Sequence, residues 1–440
     1  MLVRANDVSN LRLAPRPPSG AANRGPKPEL MYPREQRTGM TFDTKAWLDE
    51  RRGEATLLGV CPMSEEIVEA TLREAATVEG FVPMFIATPR QVDADRGYTG
   101  WSQEELADFV DETAREVGYD GPTIIARDHG GPYQSTRDRG DPEVLLEDAM
   151  AYSKELFVAD LESGFDVLHV DATEDASVEG ALDLDEVTRR TVELIDAIES
   201  HREDEGYDPV YYEVGTEEID GGMTDPADFE RYVEDLQTAL GEADRGDVVD
   251  RLLFVVGQIG TTMRIDMENS HDPEKARELC GIVAENDLHL KVHYTDWLTD
   301  EDLAAFPELG IGAANVGPEF AAAMVEGFES LEEIERDAVD PDARSEFMDT
   351  FSAAAVRDSP WKKFAPDDLD ADEREAFAQE HRRNIAYCVG RYVFNDPEVR
   401  EARETLYENV AETGTDPHAH VVETVQETIH RYVEAFSLAD

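Results

Sequence analysis

The chain has 440 residues, 41% of them hydrophobic, enough to bury a sizeable core and too many for a disordered acidic tail. Against 40 basic residues stand 100 acidic ones, and the net charge of −60 is spread over every predicted helix, leaving no basic footprint for nucleic acid or an anionic membrane. Such a balance suits solubility in concentrated salt, where screening shortens the reach of self-repulsion, and points to the cytoplasm of an extreme halophile.

Residues 1–42 stand apart. The stretch "LRLAPRPPSGAANRGPKPEL" is rich in Pro, Gly and Arg, and reads as a disordered basic tail. Met31 and Met40 offer alternative starts to Met1. The cysteines, Cys61, Cys280 and Cys388, are odd in number and far apart, which fits free thiols in a reducing cytosol. No apolar stretch of about 18 residues suggests a transmembrane helix, and no apolar segment near Met1 suggests a signal peptide.

From residue 56 a rhythm sets in, with eight short β-rich runs. They are "TLLGVC" (56–61), "VPMFIAT" (82–88), "TIIARDH" (123–129), "DVLHVDAT" (166–173), "VYYEVGT" (210–216), "LLFVVGQIG" (252–260), "LHLKVHYTD" (288–296) and "IGAANVG" (311–317). Acidic segments of helical periodicity follow each run. Strands apolar on both faces and separated by helices indicate a parallel sheet. Eight such units within residues 43–335 match a TIM (β/α)8 barrel in number and length. The Gly-rich first turn of a doubly wound dinucleotide fold is missing, so no nucleotide cofactor is expected. Residues 336–440 hold no further strand pattern and read as a C-terminal helical extension. It can pack on the barrel, close its mouth or form an interface between copies; an oligomer is expected.

Polar residues collect at the C-terminal ends of the runs, where a barrel keeps its chemistry. Run 3 ends in Arg127, Asp128 and His129, and run 4 has His169 and Asp171. Run 5 brings Glu213 and Glu217, and run 6 Gln258. Lys291, His293, Thr295 and Asp296 close run 7, and Asn315 and Gly317 close run 8. His169 and Asp171, two apart, point the same way in a regular strand. Imidazoles and carboxylates converging from several strands suit a divalent Zn, Mn or Co ion, able to polarise a carbonyl and stabilise an enolate. A lone strand-end His or Asp more often caps a helix; enrichment at several ends argues for a site. The "NVGP" turn before the last barrel helix either offers N–H groups to a phosphate or is a tight βα turn. "SPWKKF" (359–364) is the densest positive charge beyond the tail, set to meet an anionic substrate or to offset acidic neighbours.

Several stretches, in order, resemble one family. They are "GVCPMSEEIVEATLREA", "ATPRQVDADRGYTGW", "DHGGPYQ", "LHVDAT", "VGTE", "HYTDW", "NVGP" and "WKKF". Together they are similar to the non-catalytic (Z) subunit of class II D-tagatose-1,6-bisphosphate aldolase, a likeness running from about residue 56 to 435. The resemblance implies a TIM barrel and ketose-phosphate metabolism, with a haloarchaeal-type composition. It places Gln91, Tyr98, Asp128, His129, His169, Asp171, Glu217, His293, Asp296 and Gly317 at the family's pocket positions. It also implies a class II aldolase catalytic subunit as partner, although some relatives are regarded as epimerases of ketose phosphates or keto-uronates.

The chain departs from that pattern at Gly130, where Leu is expected, at Asn315 for Lys, and at Ile86 for an acidic residue. Lys291 takes a position expected to be Glu, and Glu213 one expected to be apolar. Odd strands share barrel layers, so Glu213 and Lys291 are expected to pair inside the barrel. An unpaired, desolvated Lys291 would instead suit a Schiff base.

Two readings follow. As an enzyme, the protein uses His169, His293, Asp171 and Glu217 to hold a metal and Asp128, Glu217 and Asp171 for proton transfer. Gln91, Tyr98, Arg127, His129, Gln258, Asp296, Asn315 and Gly317 then bind a keto sugar phosphate for epimerisation or aldol chemistry. As an accessory subunit, it stabilises a separate aldolase, and its outer helices or extension carry the contacts.

Overall fold

Each of the eight β-rich runs contributes one strand to a closed, all-parallel barrel in the computed structural model, which describes residues 42–216, 223–265, 268–366 and 369–439. The expected tail, except Phe42, and Glu217 lie outside the described residues. The strands are β1 (Leu57–Val60), β2 (Met84–Ala87), β3 (Ile124–Gly130) and β4 (Val167–Val170). The second half is β5 (Tyr211–Gly215), β6 (Leu252–Val256), β7 (His289–Val292) and β8 (Ile311–Val316). They neighbour one another in chain order, and β1 closes on β8 with Gly59 opposite Asn315. Nearly every strand residue is buried, as expected of a sheet covered by helices on one side and filled by its own side chains on the other.

The intervening helices start where the sequence supplies caps. The Ser64 hydroxyl accepts from Ile67 N, and Ser102 and Glu105 form a reciprocal capping box. Asp272 caps a helix whose first residue is Pro273. Each fully buried Val, Leu, Ile or Phe side chain on their inner faces contributes about 1.5–3 kcal/mol.

Regular pairing breaks at three places, all on odd strands. The register shifts between Arg127 and Gly130 in β3, between Tyr212 and Glu213 in β5, and between Leu290 and Lys291 in β7. Such irregularities bend a strand and re-aim its side chains. Here each one falls beside an ionisable residue of the mouth.

The eighth barrel helix runs from Pro318 to Ala338, and the extension follows it. The last helix, Pro417–Ala435, lies against Glu65–Thr77 and Pro318–Ala338. Phe351 stacks on Phe347 and Phe394, and these two meet Phe328 of the eighth helix tilted and edge-on. Barrel and extension therefore share one apolar core. The extension also borders the mouth: Asn395 Nδ2 donates to Tyr98 O at 2.9 Å, and Ile265 N donates to Phe364 O at 2.9 Å. No helix among the described residues is long and apolar enough to cross a membrane. The three cysteines are free thiols.

Candidate active site at the barrel mouth

Four strands deliver ionisable side chains to one point. Asp128, His169 and Glu213 lie on β3, β4 and β5, His293 directly follows β7, and all four are buried. Register brings the middle two together, because His169 and Glu213 are direct Cα partners. His169 Nδ1 stands 3.3 Å from Glu213 Oε1 and 3.6 Å from Asp128 Oδ1. His293 Nε2 stands 3.5 and 3.6 Å from the same two oxygens.

Glu213 divides its carboxylate between two tasks. Its Oε2 receives the Lys291 ammonium at 2.5 Å, with both side chains wholly buried and the Lys291 head 5.6 Å from the centre of the Phe254 ring. The expected pair inside the barrel is formed, and the unpaired Lys291 that a Schiff base requires is not. Glu213 Oε1 accepts no hydrogen bond among the described residues and faces the two imidazoles. Burial works to raise Glu213, but Lys291 and the two histidines bring it down to about 2. Burial likewise opposes ionisation of Asp128, yet His129, His293, His169 and Lys291 hold it well below the usual carboxylate range. Both carboxylates are charged at neutral pH.

The facing atoms of these four residues all lie within 4.8 Å of one another. Tetrahedral coordination with bonds near 2.0–2.1 Å places ligand atoms about 3.4 Å apart. The four histidine–carboxylate separations, 3.3 to 3.6 Å, fit that spacing. Two imidazole nitrogens and two carboxylate oxygens suit Zn, Mn or Co better than Ca or Mg. One bond competes: the His129 amide donates to His169 Nδ1 at 3.1 Å, so an ion would take that lone pair from the amide.

His129 forms the rim. The break in β3 register sets its φ at 51°, turning its ring toward the mouth, 4.8 Å from His293 and 5.2 Å from His169 between centroids. Its Nδ1 meets Asp171 Oδ2 at 2.9 Å. Asp171 also accepts from Gln134 Nε2 at 2.6 Å and Thr173 Oγ1 at 2.5 Å. Burial is outweighed by these partners and by the charges of His129 and His169, and Asp171 stays ionised. Asp171, expected beside His169 on the metal, thus turns to His129: β4 ends at Val170, and strand parity does not carry past it. The second glycine of "DHGGP" has its reason here, because a Cβ on Gly131 would sit 1.6 Å from Asp171 O.

The remaining candidates divide. Asn315 Nδ2 donates to Asp128 Oδ1 at 3.3 Å, in space left by Gly59, whose absent Cβ would fall 2.6 Å from Asn315 Oδ1. Asp296 Oδ1 accepts from Gly317 N at 2.9 Å and Glu319 N at 2.8 Å, so this carboxyl fills the start of the eighth helix. Burial pushes Asp296 up to about 7 despite those two N–H groups. Gln91 Oε1 accepts from Thr88 N, and Tyr98 lies at the edge of the mouth, its ring 4.7 Å from Tyr392 of the extension. Gln258 is buried beside Thr224, with its Oε1 unsatisfied among the described residues. Arg127 points away from the mouth. Its guanidinium forks onto Asp160 at 2.5 and 2.8 Å and donates to Ala87 O and Val92 O, locking β3 to a flanking helix. Glu217 lies outside the described residues. Glu213 in the four-residue cluster and Gln134 on Asp171 are not among the site candidates the sequence offers, although Gln134 stands in "DHGGPYQ".

A family model described as D-tagatose-1,6-bisphosphate aldolase subunit GatZ/KbaZ-like matches residues 45–432. The D-tagatose-1,6-bisphosphate aldolase subunit GatZ of Klebsiella pneumoniae is 25% identical, over 86% of this chain and 94% of the relative. The corresponding GatZ of Klebsiella oxytoca is 27% identical, over 81% and 85%. Among solved structures, a probable tagatose 6 phosphate kinase from Sinorhizobium meliloti shares the fold with a TM-score of 0.72 at 22% identity, covering 86% of this chain and 100% of that one. Fructose-bisphosphate aldolase from Campylobacter jejuni shares it more loosely, with a TM-score of 0.54 at 13% identity, covering 90% and 96%. A family match spanning the barrel and most of the extension means that this chain belongs to the D-tagatose-1,6-bisphosphate aldolase subunit GatZ/KbaZ-like family.

Proposed function

We propose that the barrel mouth binds a keto sugar phosphate and carries out epimerisation or aldol chemistry on it, with a divalent metal held by Asp128, His169, Glu213 and His293. When bound, such an ion polarises the sugar carbonyl and stabilises the enolate. The chain's own groups supply the proton traffic. Ionised Asp171 keeps a proton on His129 Nδ1, which leaves Nε2 to exchange one with the sugar. Gln134 and Thr173 hold Asp171 in place for this task. Lys291 balances Glu213 beneath the cluster, and Asn315 orients Asp128.

The observation that carries this reading is the convergence of two carboxylates and two imidazoles, all buried, within reach of one another. Burying them costs several kcal/mol, which a scaffold has no reason to bear. The setting proposed for this work is a reducing, salt-rich cytoplasm, in keeping with the acidic excess and free thiols.

A second reading rests on the names of the relatives, which call them subunits of an aldolase. In it this chain supports a separate catalytic subunit. One experiment separates the two. The pure protein in concentrated KCl is assayed with and without EDTA, and after adding Mn, Zn or Co. The substrates are tagatose 6-phosphate, tagatose 1,6-bisphosphate, fructose phosphates and tagaturonate, with products followed by NMR. Turnover that EDTA abolishes and that His293→Ala lacks supports the enzyme. No turnover, with a co-expressed class II aldolase raised equally by wild type, His169→Ala and His293→Ala, supports the accessory subunit.

A further inference from the structure

In a chain with 100 acidic and 40 basic residues, four basic side chains gather on one side of the barrel mouth. Arg90 follows β2 and Arg139 follows β3, while Lys363 and Arg391 come from the short helical turns Trp361–Phe364 and Gly390–Val393 of the extension. Tyr392 neighbours two of them, Arg90 and Arg391. The guanidinium carbons of Arg90 and Arg391 lie 4.9 and 4.7 Å from its ring centroid. Arg139 meets the Glu174 carboxylate at 4.0 Å, whereas Arg90, Lys363 and Arg391 form no ion pair among the described residues. Burial, and then the charges of Arg139 and Arg90, hold the Lys363 ammonium below its ordinary range. Like charges kept this close cost energy that an anion between them returns.

The cluster adjoins the candidate active site. Gln134 donates through Nε2 to Asp171 and accepts through Oε1 from Arg139 at 3.0 Å. The Tyr98 hydroxyl is buried, with no hydrogen-bond partner among the described residues, on the ring that meets Tyr392 at a 60° tilt. The other place for a phosphate, the N–H groups at the start of the helix Pro318–Ala338, is filled by the Asp296 carboxyl.

We propose that Arg90, Arg139, Lys363 and Arg391 anchor the single phosphate of a monophosphorylated keto sugar whose carbonyl end reaches the Asp128–His169–Glu213–His293 cluster. This rests on reading that cluster as a substrate site. Arginine forks and a lysine point charge are the groups that hold a phosphate monoester. Because they come from barrel loops and extension alike, the extension is part of the binding site.

Inorganic phosphate titrated into the EDTA-treated full chain in KCl, followed by calorimetry and phosphorus NMR, tests the anchor. One saturable site is expected. Lys363→Gln and Arg139→Gln, both at exposed positions, should each weaken it at least about tenfold while leaving the melting temperature unchanged. No saturable binding, or equal binding by both variants, overturns the proposal. Fructose 6-phosphate should bind at least as tightly as fructose 1,6-bisphosphate; a tenfold preference for the bisphosphate overturns the single anchor. Mn2+ binding, read by electron paramagnetic resonance, keeps the two ideas apart. Phosphate bound without Mn2+ sinks the metal reading and sustains the anchor. Mn2+ bound without phosphate does the reverse.

Discussion

The two ends of the barrel treat buried histidine differently. At the N-terminal end of the strands, His289 is 1% exposed, as hidden as His169 at 0%. Its Nε2 meets Asp49 Oδ1 at 2.9 Å and an Arg52 guanidinium nitrogen at 3.1 Å. Burial and Arg52 push His289 down to about 4, so the ring is neutral and works as a local structural link. An open cleft of about 750 Å3 also lies at that end, lined by Phe42, Trp47, Phe81, Tyr119 and Pro122. None of its lining residues belongs to a metal-like cluster. At the C-terminal end three imidazole rings lie 4.8–5.8 Å apart, and two of them, His169 and His293, share the carboxylates of Asp128 and Glu213. Burial alone therefore marks nothing. Shared partners, several groups converging without one-to-one pairing, are what set the mouth apart.

Lys291 offers the sharpest way to break this contrast. Lys291→Met leaves Glu213 buried without its counter-charge and should cost about 3–5 kcal/mol in denaturant unfolding measured in KCl. Replacing both partners, with Glu213→Leu and Lys291→Met together, should recover most of that loss while abolishing metal binding. A single variant as stable as wild type would show that the mouth pair is no more coupled than His289 and Asp49.

Metal affinity comes next in size. His169→Ala and His293→Ala should each weaken Mn2+ binding at least about 100-fold, with EDTA treatment of the wild type giving the same loss of signal. His289→Ala should leave it unchanged. Equal effects at both ends would erase the distinction.

The pH dependence of stability should differ in sign between the ends. Asp296, raised to about 7 from 3.8 chiefly by burial and then by the charge of Glu319, is held down by its N–H partners and by Arg391. The folded state keeps its proton longer than the unfolded one, so this group's stabilisation is lost as pH rises from about 4 to about 7. Asp296→Asn should flatten that fall in melting temperature. His289, lowered from 6.5 to about 4, acts oppositely: its contribution is lost as pH falls through that window. The smallest effect expected is from His289→Gln at pH 7, about 1 kcal/mol for the lost hydrogen bond, measured by thermal unfolding.

Much of this is legible in the sequence. Eight apolar runs, each with helical patterning behind it, specify a parallel barrel, because only helix-covered strands can be apolar on both faces. The polar clusters at run ends pick out the end at which ionisable side chains converge. Glu213 and Lys291 were readable as a pair because odd strands share layers. Less legible were the directions of single side chains. Arg127 and His129 sit two apart, yet the irregular register of β3 sends one out to Asp160 and the other to the mouth. Asp171 lies beyond the end of β4, where period two no longer holds.

The sequence by itself thus determined the architecture, the end where ionisable side chains gather and the family, since these follow from hydrophobic period, run order and motifs. Tertiary structure alone decided that Glu213 shares its carboxylate between an ammonium and two imidazoles, and that Asp296 occupies the last helix's N–H groups. It alone brought Arg90 and Arg139 beside Lys363 and Arg391, more than 200 positions along the chain. Such meetings depend on how the chain closes on itself, and local periodicity holds no record of contacts between distant segments.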